Sequence, residues 1–128
     1  AEVDEASRLS KITVVSSGTK MVLEQIRAQL DRLVPVRAVS DLTVDGPSVE
    51  RELALVKVKG EGDSRVESLR IADIFRAHVV DSTNHSFVFE IVGSTKKLDA
   101  FIDLMKPLGL VDLSRTGVVA ISRGSEPI

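Results

Sequence analysis

The chain has 128 residues, 43% hydrophobic and 28% charged, with a formal net charge of −2; that is room for one domain or two small ones of ordinary globular composition. No basic cluster offsets the acidic balance, which argues against a general nucleic-acid binder, and four Phe without Trp or Tyr leave almost no platform for base stacking. The absence of cysteine removes disulfides, thiolate metal sites and a cysteine nucleophile.

No apolar run approaches the roughly 20 residues of a membrane span. The acidic opening Ala1-Glu2-Val3-Asp4-Glu5-Ala6 is neither a signal nor a transit peptide and reads as the middle of something longer. Leu9 to Val15 reads as a strand, with Ile12 and Val14 alternating against Lys11 and Thr13. Ser16-Ser17-Gly18 breaks it, and Thr19 is a candidate N-cap. Val22, Leu23, Ile26, Leu30 and Leu33 then recur at helical spacing until Pro35, and Val36 to Leu42 follows as a short strand. The turn-rich run Val44-Asp45-Gly46-Pro47-Ser48 marks a boundary.

A strand pattern follows. Ala54, Val56 and Val58 alternate with Leu53, Leu55 and Lys57, preceded by the charged cluster Glu50-Arg51-Glu52. Gly60-Glu61-Gly62-Asp63 turns the chain, and Ser64-Arg65-Val66-Glu67 has the capping-box spacing that starts a helix. Val66, Leu69, Ala72 and Phe75, flanked by Ile71 and Ile74, form its expected buried face. His78 to Asp81 reads as a strand, Thr83-Asn84-His85 as a hairpin turn, and Phe87, Phe89 and Ile91 as one face of the next strand. Leu98, Phe101, Ile102 and Met105 repeat at helical spacing, closed by Pro107 and Gly109. Leu110 to Leu113 and Val118 to Ile121 supply one last strand, broken by a bulge or kink at Ser114-Arg115-Thr116-Gly117, before a mobile tail.

Residues 50 to 122 thus read β-α-β-β-α-β, the ferredoxin-like order of an α+β protein. Residues 9 to 42 read β-α-β, and an internal echo relates them to the second half of that order: 76 positions on, Thr19 meets Thr95, Lys20 meets Lys96 and Ile26 meets Ile102. In such a sheet the first strand is central, so the N-terminal segment is expected to be incomplete alone. Either it borrows a strand from a partner, or the chain is a truncated product.

Chemistry-bearing constellations are sparse. His78 and His85 have no ligand-spaced neighbours and read as edge or surface histidines. Gly60-x-Gly62 lacks the rest of a phosphate-binding loop and reads as a turn with a cap; Ser16-Ser17-Gly18-Thr19 reads as capping, with a carboxylate-holding turn as the alternative. Glu50-Arg51-Glu52 is either a solvated strand entrance or an ion-pair contact with another chain or domain, and nothing near it would raise a carboxyl pKa for catalysis. Arg115-Thr116-Gly117 is the other candidate contact, with a simple bulge as the alternative.

Taken together, Val49-Glu50-Arg51-Glu52-Leu53-Ala54-Leu55-Val56-Lys57-Val58, Leu69-Arg70-Ile71-Ala72-Asp73-Ile74-Phe75-Arg76-Ala77, Glu90-Ile91-Val92-Gly93, Pro107-Leu108-Gly109 and Arg115-Thr116-Gly117 closely resemble the small regulatory subunit of acetolactate synthase (acetohydroxyacid synthase). Ile12-Thr13-Val14-Val15 and Val39-Ser40-Asp41-Leu42 fit as well, so the resemblance covers nearly the whole chain. It implies 1–43 as the second half of an ACT domain, 44–49 as a linker, 50–122 as a ferredoxin-like C-terminal domain and 123–128 as a tail.

It further implies a cytoplasmic, dimeric, non-catalytic subunit of branched-chain amino acid biosynthesis. Such a subunit activates the large catalytic subunit and confers feedback inhibition by valine or a related effector. Thiamine diphosphate, magnesium and FAD are expected on the catalytic subunit and no cofactor on this chain. The family's effector loop lies before Ala1-Glu2-Val3, so no effector residue is carried over. Glu50, Arg51 and Arg115 are the candidate interdomain or partner contacts. The competing reading is a stand-alone ferredoxin-like amino-acid sensor or interaction module without a synthase partner; a small enzyme is the third.

Overall fold

A computed structural model describes residues 2–4, 9–33, 38–39, 41–42 and 46–126. The chain divides into two units, Ala1–Val49 with Val119–Ile128, and Glu50–Val118.

In the first unit β1 (Glu2–Asp4) and β2 (Leu9–Lys11) pair antiparallel, with Val3 opposite Ser10. The strand expected to run to Val15 stops at Lys11, because only three residues find a ladder partner; Ile12, Val14 and Val15 are exposed. Helix α1 (Lys20–Asp31) starts as the sequence requires, Val22 N donating to Thr19 Oγ1 at 3.3 Å. Its apolar face is only half-buried at Leu23, Ile26 and Leu30, and no residue of α1 is buried. The strand expected at 36–42 lies partly outside the described residues, and 38–39 and 41–42 are not strand. A later strand of this unit, Val119–Ser122, is anchored by Ala120 N donating to Thr13 Oγ1 at 3.2 Å and Arg123 N donating to Pro47 O at 3.0 Å.

The second unit is ferredoxin-like. β3 (Ser48–Lys59, entering from the first unit), α2 (Asp63–Ile74), β4 (His78–Ser82), β5 (Ser86–Gly93), α3 (Thr95–Met105) and β6 (Leu110–Arg115) follow in turn. The sheet order is β4-β5-β3-β6, every pair antiparallel, so the first strand is central. The single interrupted strand expected at the end is two, with the break at Thr116–Val118 rather than from Ser114. Thr116 makes that break tight: its N–H donates to Leu53 O at 3.0 Å, and its Oγ1 accepts from Leu53 N at 3.1 Å.

One sheet face holds the core. Ala54, Val56 and Val58 lie beside Phe87, Phe89 and Ile91, covered by Ile71 and Ala72 of α2 and by Leu98, Phe101, Ile102 and Met105 of α3. Phe101 meets Phe89 edge-on at 6.0 Å and Phe75 at 5.5 Å. The buried face of α2 is Ser68, Ile71 and Ala72, extended by Phe75; Val66 and Leu69, expected inside, are exposed. Ser68 tolerates burial because its hydroxyl donates to Arg65 O at 2.9 Å. Helix α2 starts at Asp63 behind Gly62, and Glu67 does not close a capping box but pairs with Arg70 (2.9 and 2.5 Å). That pairing holds the Glu67 carboxyl below its ordinary value.

Candidate functional site

The even face of β3 stays apolar from Ala54 to Val58, and the same alternation carries Glu52 inward, leaving it 6% exposed. A carboxylate that deep needs a partner. Ala54 is opposite Arg115 in the β3–β6 ladder, so Arg115 stands on the same face. Its Nε donates to Glu52 Oε1 at 3.2 Å, its Nη2 to the same oxygen, and its Nη1 to Asp99 Oδ1 of α3 at 2.7 Å. These hydrogen bonds, those to Glu52 foremost, raise the Arg115 pKa. A group with a raised pKa contributes its stability fully below its ordinary value and loses it only above, so Arg115 stays charged through the whole working pH range.

The three residues form an ionic clip across β3, β6 and α3, with no nucleophile in it. Arg115, a candidate for outside contact, directs its donors inward and has a side chain 28% exposed. Glu50 and Arg51, the other two candidates, are exposed, and Arg51 Nη1 donates to Glu50 O at 2.7 Å. The sequence reading has Glu52 in the charged cluster, as a solvated strand entrance or a contact with another chain or domain, where the structure pairs it within its own unit; it does not consider Asp99. The signal for Glu52 was available, since it shares the phase of Ala54; Asp99 becomes relevant only once α3 packs.

The histidines stay apart. His85 pairs through Nδ1 with Glu61 on the surface, while His78 stands on β4 opposite Glu90. Among the described residues no group of three or more His, Cys, Asp or Glu could hold a metal. No helix among them is long and apolar enough to cross a membrane. Arg65 lies over the Phe87 ring, 3.9 Å from its centroid.

Two surface features remain. The sheet face opposite the core presents Leu53, Leu55, Val88 and Val92 beside Lys57 and Glu90. Second, a cleft of about 310 Å3 is lined by Ile74, Phe75, Arg76 and Lys97. Arg76 ends α2 in a left-handed conformation (φ 57). Ala77 N donates to Ala72 O at 2.8 Å and Arg76 N to Asp73 O at 3.1 Å, the paired bonds of a Schellman cap. Glycine is the usual residue there; a side chain costs about 1–2 kcal/mol. Lys97 sits in the first turn of α3, which holds no acidic residue, at the positive end of the helix dipole. Nothing in the residue types flagged Arg76 or Lys97 beforehand, because a left-handed arginine has no sequence signature.

Residues 51–124, more than half the chain, match the family described as the small subunit of acetolactate synthase. The probable acetolactate synthase small subunit of Archaeoglobus fulgidus is 42% identical over 122 residues, 95% of this chain and 76% of its own length. The acetolactate synthase small subunit of Aquifex aeolicus is 45% identical over 90% of this chain, which spans 60% of that relative. In three dimensions the chain is similar to the acetolactate synthase small subunit from Thermotoga maritima, with a TM-score of 0.75, 34% identity, and coverage of 86% of this chain and 68% of that one.

Proposed function

From its membership in the acetolactate synthase small-subunit family, we propose that this chain is a regulatory subunit that binds the large catalytic subunit, raises its activity and mediates feedback inhibition by valine or another branched-chain amino acid. The observation that carries this is the family match over residues 51–124, a stretch that holds the β-α-β-β-α-β unit except for the first three residues of β3. The chain contributes surfaces, not reacting groups: the one buried carboxylate among the described residues, Glu52, is held by Arg115, which also pairs with the exposed Asp99. Thiamine diphosphate, magnesium and FAD belong to the catalytic subunit. The effector acts by binding one conformation of the assembly better than another, which changes activity only as far as that difference in affinity allows.

The chain works in the cytoplasm as a homodimer, for which the open sheet face with Leu53, Leu55, Val88 and Val92 is the fitting surface. Glu50 and Arg51, exposed at the entrance of β3, remain available for contacts with another domain or partner.

The test is reconstitution with purified catalytic subunit, following acetolactate formation with and without the chain and with and without valine. The expected result is faster turnover with the chain and a loss of that gain on adding valine. Unchanged turnover and no complex would overturn the reading. Calorimetry with branched-chain amino acids on the isolated chain separates the alternative of a stand-alone sensor, which requires saturable binding without the partner.

A further inference from the structure

At the cleft between the end of α2 and the start of α3, two locally unfavourable choices meet. Arg76 occupies a left-handed position that glycine fills most readily, and Lys97 puts a cation at a positive helix end. Both line the same cavity and both carry the same sign. Departures from local preference that converge in place and charge point to function rather than stability.

No carboxylate of the described residues answers them. Asp99 is held by Arg115, Asp103 by Lys106 and Glu67 by Arg70. The Arg76 side chain makes no ion pair or hydrogen bond with the described residues, and Lys97 Nζ reaches only Val92 O, at 3.1 Å. Beside these cations Ile74 is 62% exposed and Phe75 half-buried.

We propose that this cleft docks the large catalytic subunit, receiving an acidic side chain of that partner next to an apolar one. The proposal rests on the small-subunit reading above. Charge complementarity selects the occupant: the guanidinium can take a carboxylate through two parallel N–H donors, Lys97 adds a second positive charge, and Ile74 and Phe75 bury the neighbouring apolar group. Arginine is among the residues in which interface affinity concentrates. A zwitterionic amino acid fits poorly, because no lining residue is acidic. The cleft is open, which suits a segment presented by a folded surface better than a free metabolite that a pocket must enclose.

The test measures affinity of the chain for purified large subunit, at low and high salt, for the wild type and for Arg76→Gly, Arg76→Lys, Arg76→Glu and Lys97→Gln. Arg76→Gly should keep or raise the thermal midpoint while weakening binding about tenfold. Arg76→Glu should weaken it further, Arg76→Lys should lose less than Arg76→Gly because it keeps the charge but not the two parallel donors, and added salt should affect the wild type more than Arg76→Gly. Wild-type affinity in Arg76→Gly would overturn the proposal, as would equal losses in Arg76→Gly and Arg76→Lys. Saturable binding of isovalerate to the free chain, with subunit affinity indifferent to Arg76, would reassign the cleft to a small anion and also overturn it. Failure of the wild type itself to bind would instead strike the small-subunit reading, and the cleft's role with it.

Discussion

At the scale of single residues, the second unit depends on a few positions where side-chain identity is not negotiable. Glu52 is buried and has Arg115 as its counter-charge. Removing one partner of such a pair leaves an uncompensated charge, so Arg115→Ala should cost about 3 kcal/mol, read from the denaturant midpoint. Replacing Glu52 and Arg115 together by Met should cost much less than the two single changes summed, because an apolar pair leaves no buried charge unpaired and Asp99, which loses Arg115, is exposed to water. Gly109 is the other such position. Its φ is +108, and a Cβ there would stand 1.9 Å from the backbone oxygen of Lys59, whose own N–H donates to Gly109 O at 2.8 Å. Gly109→Ala therefore has to move backbone and should lose at least about 2 kcal/mol in the same measurement.

At the scale of elements, two helices make a natural comparison. Thr19 and Ser94 cap α1 and α3 with the same extended backbone, and each accepts a hydrogen bond from the N–H three residues on. Aligned on these caps the offset is 75 rather than the 76 suggested by matching letters, and Leu23, Ile26 and Leu30 then meet Leu98, Phe101 and Met105. Helix phase is set by the cap, which is why the structural offset differs by one from the letter match. The second set is buried and the first only half-buried. Phe101→Ala should accordingly cost about 4 kcal/mol, and Leu30→Ala less than about 1.5 kcal/mol, in chemical denaturation of the chain.

At the scale of the whole molecule, a sheet with helices on one face leaves the other face to be covered or to stay in water. Leu55 lies on that face, opposite Ser114 on one side and Glu90 on the other. If a second copy covers it, Leu55→Glu should convert the dimer to a monomer in sedimentation velocity while leaving the thermal midpoint within a few degrees. A lowered midpoint without a change in mass would instead assign Leu55 to the fold of one chain.

The strand and helix order of residues 50–118 could be read largely from alternation and helical spacing, because β3, β5 and α3 each bury a face and so carry a periodic record of it; the exposed strand β4 was legible only from its β-branched residues and the hairpin turn after it. The family could be read from the same stretch. Three things could not. The buried side of α2 needed the packed neighbours, since Val66 and Leu69 offered an equally apolar face and Ser68 became buriable only through a backbone carbonyl. The clip needed the β3–β6 register, which brings Arg115 to Glu52 across 63 positions of sequence. The cleft needed the left-handed turn at Arg76, a conformation that residue type opposes and that only the helix end and its two hydrogen bonds impose. Periodicity is a local property and survives in the sequence; register, helix rotation and a backbone held against its preference are decided by contacts between distant residues.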